Sequence, residues 1–143
     1  MQRRWLFAAA LALLASIAGC TKRRTVVGGD EALPDDQWSR GVWLYGQHCA
    51  GCHGDDGEGD DASPPLAGEG ALPLEPPEGA ERKQRFEHAS DLFAYVSTEM
   101  PPLEPGSLAP DEYYALVRYL LQQAGRKVEV DVTASNAPSL TLR

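Results

Sequence analysis

The sequence predicts an all-α fold, a small domain of helices joined by long loops. The chain has 143 residues, which is enough for one hydrophobic core of ordinary size but not for two. Three segments carry apolar residues at helical spacing. Residues 54–81 contain nine carboxylates, five prolines and no lysine or arginine, so neither a helix nor a strand can extend far through them. We therefore expect three helices and one long acidic loop.

The first helix is expected to begin at Asp35 and Asp36, whose charges suit the positive end of a helix dipole. Its apolar residues at helical spacing are Trp38, Val42 and Tyr45. The second helix is expected to begin at Ser90 and Asp91, and its apolar stripe consists of Leu92, Phe93 and Val96. It ends before Met100-Pro101, because a residue that precedes proline avoids the helical region.

The third helix opens with Pro110, Asp111 and Glu112, a proline at the first position and acids in the first turn. Its apolar face consists of Tyr113, Leu116, Val117, Leu120 and Leu121. Gly125 marks its end. Beyond it the chain alternates in a strand-like way at Val128, Val130 and Val132, and the remainder is a polar tail.

The N-terminal residues have the pattern of an export signal. Arg3 and Arg4 precede an apolar run of 11 residues, too short to remain as a membrane span. The sequence Ile17-Ala18-Gly19-Cys20 resembles the lipobox of bacterial lipoproteins. The resemblance implies a signal peptide over 1–19 and lipidation of Cys20. It places the protein in a bacterial periplasm, anchored by lipid to the inner or the outer membrane. An uncleaved N-terminal anchor is the alternative.

Charge and composition limit the partners of the mature chain. Residues 20–35 lack apolar periodicity and are predicted to be a flexible tether, with three cations close to the lipid anchor. The whole chain has a net charge of -8, and residues 20–143 carry 11 basic against 21 acidic side chains, a net charge of -10. No nucleic acid is expected as a partner, because neutralising phosphates requires clustered cations.

The most informative motif is Cys49-Ala50-Gly51-Cys52-His53. Two thiols three residues apart on a helical turn can reach both vinyl groups of a haem as thioethers, and the following histidine then presents its imidazole to the iron. This C-x-x-C-H pattern is typical of c-type haem attachment. We therefore predict one covalent haem c, held by Cys49 and Cys52, with His53 as an iron ligand.

The cysteine pair has three alternative interpretations. A thioredoxin-like redox pair follows a strand, whereas a helix is predicted before Cys49. A zinc site needs four ligands, and the remaining candidates are His48, His88 and distant acids. A plain structural disulfide is the third interpretation.

The second iron ligand is predicted to be Met100. It is the only methionine besides Met1, and it stands before Pro101-Pro102, where an extended backbone can present the thioether from a loop. A thioether stabilises ferrous iron, as an electron carrier requires. His48 and His88 are the competing ligands, and Met100 as an ordinary apolar residue is the alternative.

An ordered set of motifs resembles the class I cytochromes c, which carry a single haem. The set comprises Gly41-x-x-x-Tyr45, Cys49 to Gly54, Pro64-Pro65-Leu66-Ala67-Gly68, Met100-Pro101 and Tyr119-Leu120. The resemblance implies a cytochrome c domain over 36–125, followed by a C-terminal tail over 126–143. It also implies that Gly41 faces Tyr119 where the terminal helices cross, and that the Pro65 carbonyl accepts a hydrogen bond from His53.

The sequence departs from this family in two places. Residues 69–85 form a longer and more acidic loop, and the link from the second helix to Met100 is short and lacks glycine. Both departures lie away from the C-x-x-C-H motif, so the methionine side of the site is less closely defined by the resemblance than the histidine side.

The predicted activity is one-electron transfer, and no catalytic residue is recognised. The chain is expected to be a membrane-tethered periplasmic carrier between respiratory redox partners. The alternatives are a fixed haem subunit of a larger membrane complex, and a haem enzyme or gas sensor with an open sixth site. An acidic run beside the haem motif is either a solubilising face or a docking surface for basic proteins; it consists of Asp55, Asp56, Glu58, Asp60 and Asp61.

Overall fold

The computed structural model describes residues 32–142, so the predicted signal peptide, Cys20 and most of the predicted tether lie outside the described residues. The helices are α1 (Gln37–His48), α2 (Ala50–His53), α3 (Ala89–Glu99) and α4 (Pro110–Gln123), followed by a 3-10 helix (Ala137–Ser139). Within residues 32–142 there is no strand, and the one β-type contact is an isolated bridge between His88 and Thr141. The all-α fold class is confirmed.

Each long helix begins where a carboxylate accepts a hydrogen bond from a backbone N–H group. The Asp36 carboxylate accepts from the N–H of Ser39 at 2.9 Å and starts α1. The Asp91 carboxylate accepts from the N–H of His88 at 2.9 Å, so α3 begins at Ala89, one residue before the predicted start. The Glu112 carboxylate accepts from the N–H of Ala109 at 2.7 Å at the start of α4.

The core is built on the crossing of α1 and α4, and α3 also packs on α4. At the crossing, a Cβ on Gly41 would lie 2.4 Å from the carbonyl oxygen of Ala115 and 2.9 Å from the Cβ of Tyr119. Glycine is therefore required for this approach of the two backbones. The predicted contact between Gly41 and Tyr119 is confirmed.

Residues 54–88 form the expected long loop. Its centre is organised by Arg82, whose side chain is 8% exposed. The guanidinium donates to the carbonyls of Pro73 at 2.9 Å and Glu75 at 3.1 Å, donates also to Gln84, and lies 3.9 Å over the ring of Phe86. Backbone carbonyls thus replace the water lost on burial of this cation.

The segment after α4 packs onto the domain rather than extending from it. The strand-like interpretation of residues 128–132 is wrong, because the structure forms no strand there. In a strand all three valines would lie on one face, whereas Val128 and Val132 are buried and Val130 is 53% exposed. The side-chain amide of Gln37 donates to the Val132 carbonyl and accepts from its N–H, both at 2.7 Å. These two bonds attach the segment to the first turn of α1.

None of the helices within residues 32–142 combines the length and the apolar character that a membrane span requires.

Candidate haem-binding site

Cys49, Cys52 and His53 lie in one continuous turn at the end of α1. The N–H of Cys49 donates to the Tyr45 carbonyl at 2.9 Å, and the N–H groups of Cys52 and His53 both donate to the Cys49 carbonyl, at 3.1 and 3.0 Å. The two thiols are unpaired; Cys49 is partly buried and Cys52 is exposed. The turn therefore presents two thiols and one imidazole within five successive residues.

The His53 ring is oriented by a proline carbonyl. Its Nδ1 lies 2.9 Å from the carbonyl oxygen of Pro64. Since a carbonyl oxygen only accepts, Nδ1 carries the proton, and the lone pair of Nε2 is left for a metal. The assignment of this acceptor to Pro65 is wrong by one residue.

The turn that places Pro64 explains the difference. The N–H of Gly59 donates to the His53 carbonyl at 2.8 Å, and the Asp60 carboxylate accepts from the N–H groups of Ala62 and Ser63 at 2.8 and 2.7 Å. These hydrogen bonds hold the pKa of Asp60 below its ordinary value. The register of the turn thus depends on side-chain bonds of Asp60, which sequence spacing alone does not reveal.

Gly59 is a functional position that sequence analysis missed. Its φ is +65°, and a Cβ there would lie 2.5 Å from the Ser63 carbonyl oxygen and 2.7 Å from the carbonyl carbon of Pro64. The backbone of residues 63–64 therefore passes directly over this glycine. The available signal was that Gly57 and Gly59 interrupt the acidic run.

Tyr45 connects the site to the helix crossing. Its hydroxyl donates to the Gly54 carbonyl at 2.8 Å, and its ring lies 5.0 Å from the ring of Tyr119. Burial raises the pKa of Tyr45 well above its ordinary value, with the nearby Cys49 as the next cause. The phenol therefore stays protonated and donates this hydrogen bond at any physiological pH.

Met100 is placed at the end of α3. It is partly buried, and the side chains of Met100, Cys49 and Leu66 all pack against the same hydrophobic core. The competing ligand His88 lies at the opposite end of α3, with its Nδ1 3.7 Å from the Asp91 carboxylate. His48 is the last residue of α1, directly before Cys49.

The site disfavours the interpretation of the cysteine pair as a thioredoxin-like redox pair. Burial, followed by the proximity of Cys52, raises the pKa of Cys49 to about 12, whereas a redox-active dithiol needs a lowered pKa. The pair follows α1 rather than a strand. Within residues 32–142 no group of three or more His, Cys, Asp or Glu side chains is arranged to hold a metal ion.

The donor set fits a haem c. Two unpaired thiols stand three residues apart in a helical turn, and the adjacent imidazole has its Nδ1 engaged and its Nε2 available. Hydrogen bonding from a backbone carbonyl to the far nitrogen is the arrangement by which proteins fix the orientation of a ligating histidine.

The helical fold and this turn define a monohaem c-type cytochrome. The family described as cytochrome C oxidase, cbb3-type, subunit III matches residues 36–120, and the chain belongs to this family. Membership implies haem c with its iron as the cofactor and electron transfer as the general role.

Two solved structures are similar to this chain. A chain of the sulfane dehydrogenase SoxCD from Paracoccus pantotrophus is 28% identical with a TM-score of 0.55, and the match covers 81% of this chain and 68% of that one. A chain of the thiosulfate dehydrogenase TsdBA from Marichromatium purpuratum is 28% identical with a TM-score of 0.46, over 63% of this chain and 19% of that one. The comparison with curated proteins gives no match.

Proposed function

We propose that this chain is a membrane-tethered periplasmic cytochrome that carries single electrons between respiratory redox proteins. Its haem would be attached through Cys49 and Cys52, with His53 and Met100 as iron ligands. The observation that carries the proposal is the His53 Nδ1 to Pro64 carbonyl bond of 2.9 Å, beside two unpaired thiols in the same turn.

The residues around the site have distinct tasks in this proposal. When bound, a haem supplies a one-electron couple between ferric and ferrous iron. The Pro64 carbonyl would fix the orientation of the His53 ring, leave Nε2 free to bind the iron, and increase the basicity of the imidazole. As an iron ligand, the Met100 sulfur would favour the ferrous state and so raise the reduction potential. The acyl chains on Cys20 would keep the domain at the membrane surface.

Haem attachment is tested on the full chain made in a bacterium competent for cytochrome c maturation. The haem should stay on the polypeptide through acid–acetone extraction, and the variant carrying both Cys49→Ala and Cys52→Ala should retain none. His48→Ala, next to Cys49 in the sequence, is the matched control and should retain haem. Pigment that is extracted from the wild-type chain would refute covalent attachment.

Methionine ligation is tested by the visible spectrum of the ferric protein. The far-red absorption band typical of sulfur ligation should be present in the wild type and absent in Met100→Ala. His88→Ala is the control and should keep the band. Carbon monoxide binding to the reduced wild type at neutral pH would instead support an open sixth site, as in a haem enzyme or gas sensor.

Membrane attachment is tested separately from the haem. The full chain should incorporate labelled fatty acid and partition into detergent, and Cys20→Ser should lose both properties while keeping its haem. A wild-type chain that is recovered in the aqueous phase without label would contradict the tether.

The acidic run supports docking to a basic partner. All five of its side chains are exposed, and Asp56 and Asp61 lie within ten residues of His53 in the sequence. Asp60 and Glu58 also have local tasks, since Asp60 stabilises the turn before Pro64 and Glu58 accepts from the N–H of Asp56 at 3.0 Å. Negative charge so close to the haem attachment would steer positively charged partners toward it.

A fixed haem subunit of a larger membrane respiratory or dehydrogenase complex is the second candidate. Its support is the similarity to a chain of the sulfane dehydrogenase SoxCD at a TM-score of 0.55. Mild detergent extraction followed by size-exclusion chromatography distinguishes the two. A shuttle elutes alone, and a subunit elutes with stoichiometric partner chains.

A further inference from the structure

The backbone of Met100 is held on both sides of its Cα. On the N-terminal side, its N–H donates to the Val96 carbonyl at 3.1 Å and closes the last turn of α3. On the C-terminal side, its carbonyl accepts from the hydroxyl of Tyr113 at 3.2 Å. Met100 itself is extended, with φ of -125° and ψ of 142°, as expected for a residue before proline.

Tyr113 is fixed in the first turn of α4. The residue is 2% exposed, and the edge of its ring meets Phe93 at a centroid distance of 6.3 Å and an angle of 85°. Its N–H donates to the Ala109 carbonyl at 3.1 Å. With its ring and main chain both held, the hydroxyl has a defined position, so the bond to Met100 costs little side-chain entropy.

The chain beyond Met100 gives this bond its importance. Residues 101–109 are irregular, and Leu103 within them is 96% exposed. Glu104 donates its N–H to the Pro101 carbonyl at 3.0 Å, a bond that is local to the loop. The Tyr113 hydroxyl therefore links the Met100 carbonyl to a helix, at the point where α3 gives way to an exposed loop.

We propose that Tyr113 is a positioning residue for the Met100 sulfur. By attaching the Met100 carbonyl to α4, its hydroxyl limits the movements of the main chain that would withdraw the thioether from the iron. The inference rests on the proposed function, since it assumes that Met100 is the second iron ligand.

The test is Tyr113→Phe in the haem-loaded full chain, because phenylalanine keeps the ring and removes only the hydroxyl. The probe is imidazole, which binds ferric haem by displacing a weakly held sulfur ligand. Loss of one hydrogen bond should raise the apparent affinity for imidazole about fivefold. The far-red band of the ferric protein should also be lost at a lower temperature than in the wild type.

Tyr114→Phe is the matched control. Tyr114 is the next residue on α4 and stacks on Phe93 at 4.1 Å, so its hydroxyl is removed from the same aromatic cluster without touching Met100. We expect it to bind imidazole as the wild type does. Chemical denaturation of both variants measures their free energy of unfolding. A general loss of stability would change this free energy and the imidazole affinity together, whereas a loss of ligand positioning changes the imidazole affinity alone.

The outcomes distinguish this inference from the assignment of Met100. If Met100→Ala abolishes the far-red band but Tyr113→Phe and Tyr114→Phe bind imidazole equally, the role of Tyr113 is refuted and the ligand assignment stands. If the spectrum of Met100→Ala is the same as that of the wild type, both proposals are refuted.

Discussion

At the scale of single residues, the histidine side of the site depends on the position of one carbonyl. Pro64 holds Nδ1 of His53, and Pro64 in turn is positioned by a turn that crosses Gly59. The orientation of the His53 imidazole thus depends on a residue that has no functional group of its own. Such coupling makes Gly59 a sensitive position even though its side chain is a hydrogen atom.

We predict that Gly59→Ala destabilises the protein by more than positive φ alone explains. A non-glycine residue at φ of +65° costs about 1–3 kcal/mol, and here the added Cβ also displaces the backbone that carries the Pro64 carbonyl. Gly70→Ala is the control, because Gly70 has φ of +86° but nothing within 4 Å of its Cβ position. Denaturant unfolding measures both variants. Equal losses of stability would show that the close approach at Gly59 has no effect.

The residue scale also shows where sequence analysis reaches its limit. The spacing of Cys49, Cys52 and His53 predicts the attachment turn because the chemistry is local to five residues. The choice between Pro64 and Pro65 was not predictable, because it depends on the side-chain bonds of Asp60 across the turn. Two adjacent prolines give the same composition signal, and only the folded loop distinguishes their carbonyls.

At the scale of elements, the start of α1 depends on one ionised carboxylate. Asp36 accepts from the N–H of Ser39, and this bond lowers the pKa of Asp36 below its ordinary value of 3.8. Because the pKa is lower in the folded state, the unfolded state binds more protons as the pH falls. The stabilisation is therefore present above about pH 3.8 and is lost as the pH falls through the folded-state value.

We predict that Asp36→Ala lowers the denaturant midpoint at pH 7 and that its difference from the wild type narrows at about pH 3. Asp35→Ala is the control, since the main-chain carbonyl of Asp35, rather than its carboxylate, accepts from Arg40 at 3.4 Å. Unfolding curves at both pH values measure the effect. A difference that stays constant with pH would contradict the role of the charged cap.

The crossing of α1 and α4 gives a second prediction at this scale. Gly41→Ala should destabilise the protein by about 1–3 kcal/mol, because the added methyl group would overlap the Ala115 carbonyl and force the helices apart. Gly46 lies in the same helix, and a Cβ added there would have no neighbour within 4 Å. Gly46→Ala should therefore stabilise the protein by about 0.5–1 kcal/mol through helix propensity. Unfolding free energies that change in the same direction would contradict the crossing argument.

The helices themselves were predictable, and the tail was not. Apolar spacing and end signals are local, so α1, α3 and α4 begin within two residues of their predicted starts, and α3 and α4 end within two residues of their predicted ends. The valines of residues 128–132 alternate as in a strand, yet no neighbouring strand exists within residues 32–142 to pair with them. Gln37 instead satisfies the backbone of Val132, a contact across 95 positions that no local pattern indicates.

At the scale of the whole molecule, the proposed function makes the distribution of charge important for the approach of redox partners. Residues 54–81 contain nine carboxylates and no lysine or arginine, and they directly follow the C-x-x-C-H turn. The resulting negative field near the C-x-x-C-H turn attracts cations and repels anions over about 10 Å at 0.1 M ionic strength. Small redox ions report this field without knowledge of the natural partner.

We predict that reduction of the ferric protein by hexaammineruthenium(II) slows as salt is added, and that oxidation of the ferrous protein by hexacyanoferrate(III) accelerates, because salt screens attraction and repulsion alike. Asp56→Asn together with Asp61→Asn should flatten both salt dependences. The charge-matched control is Asp35→Asn with Glu129→Gln. Asp35 lies at the opposite end of α1 from Cys49. If the control flattens the salt dependence equally, net charge rather than the acidic run governs approach to the haem.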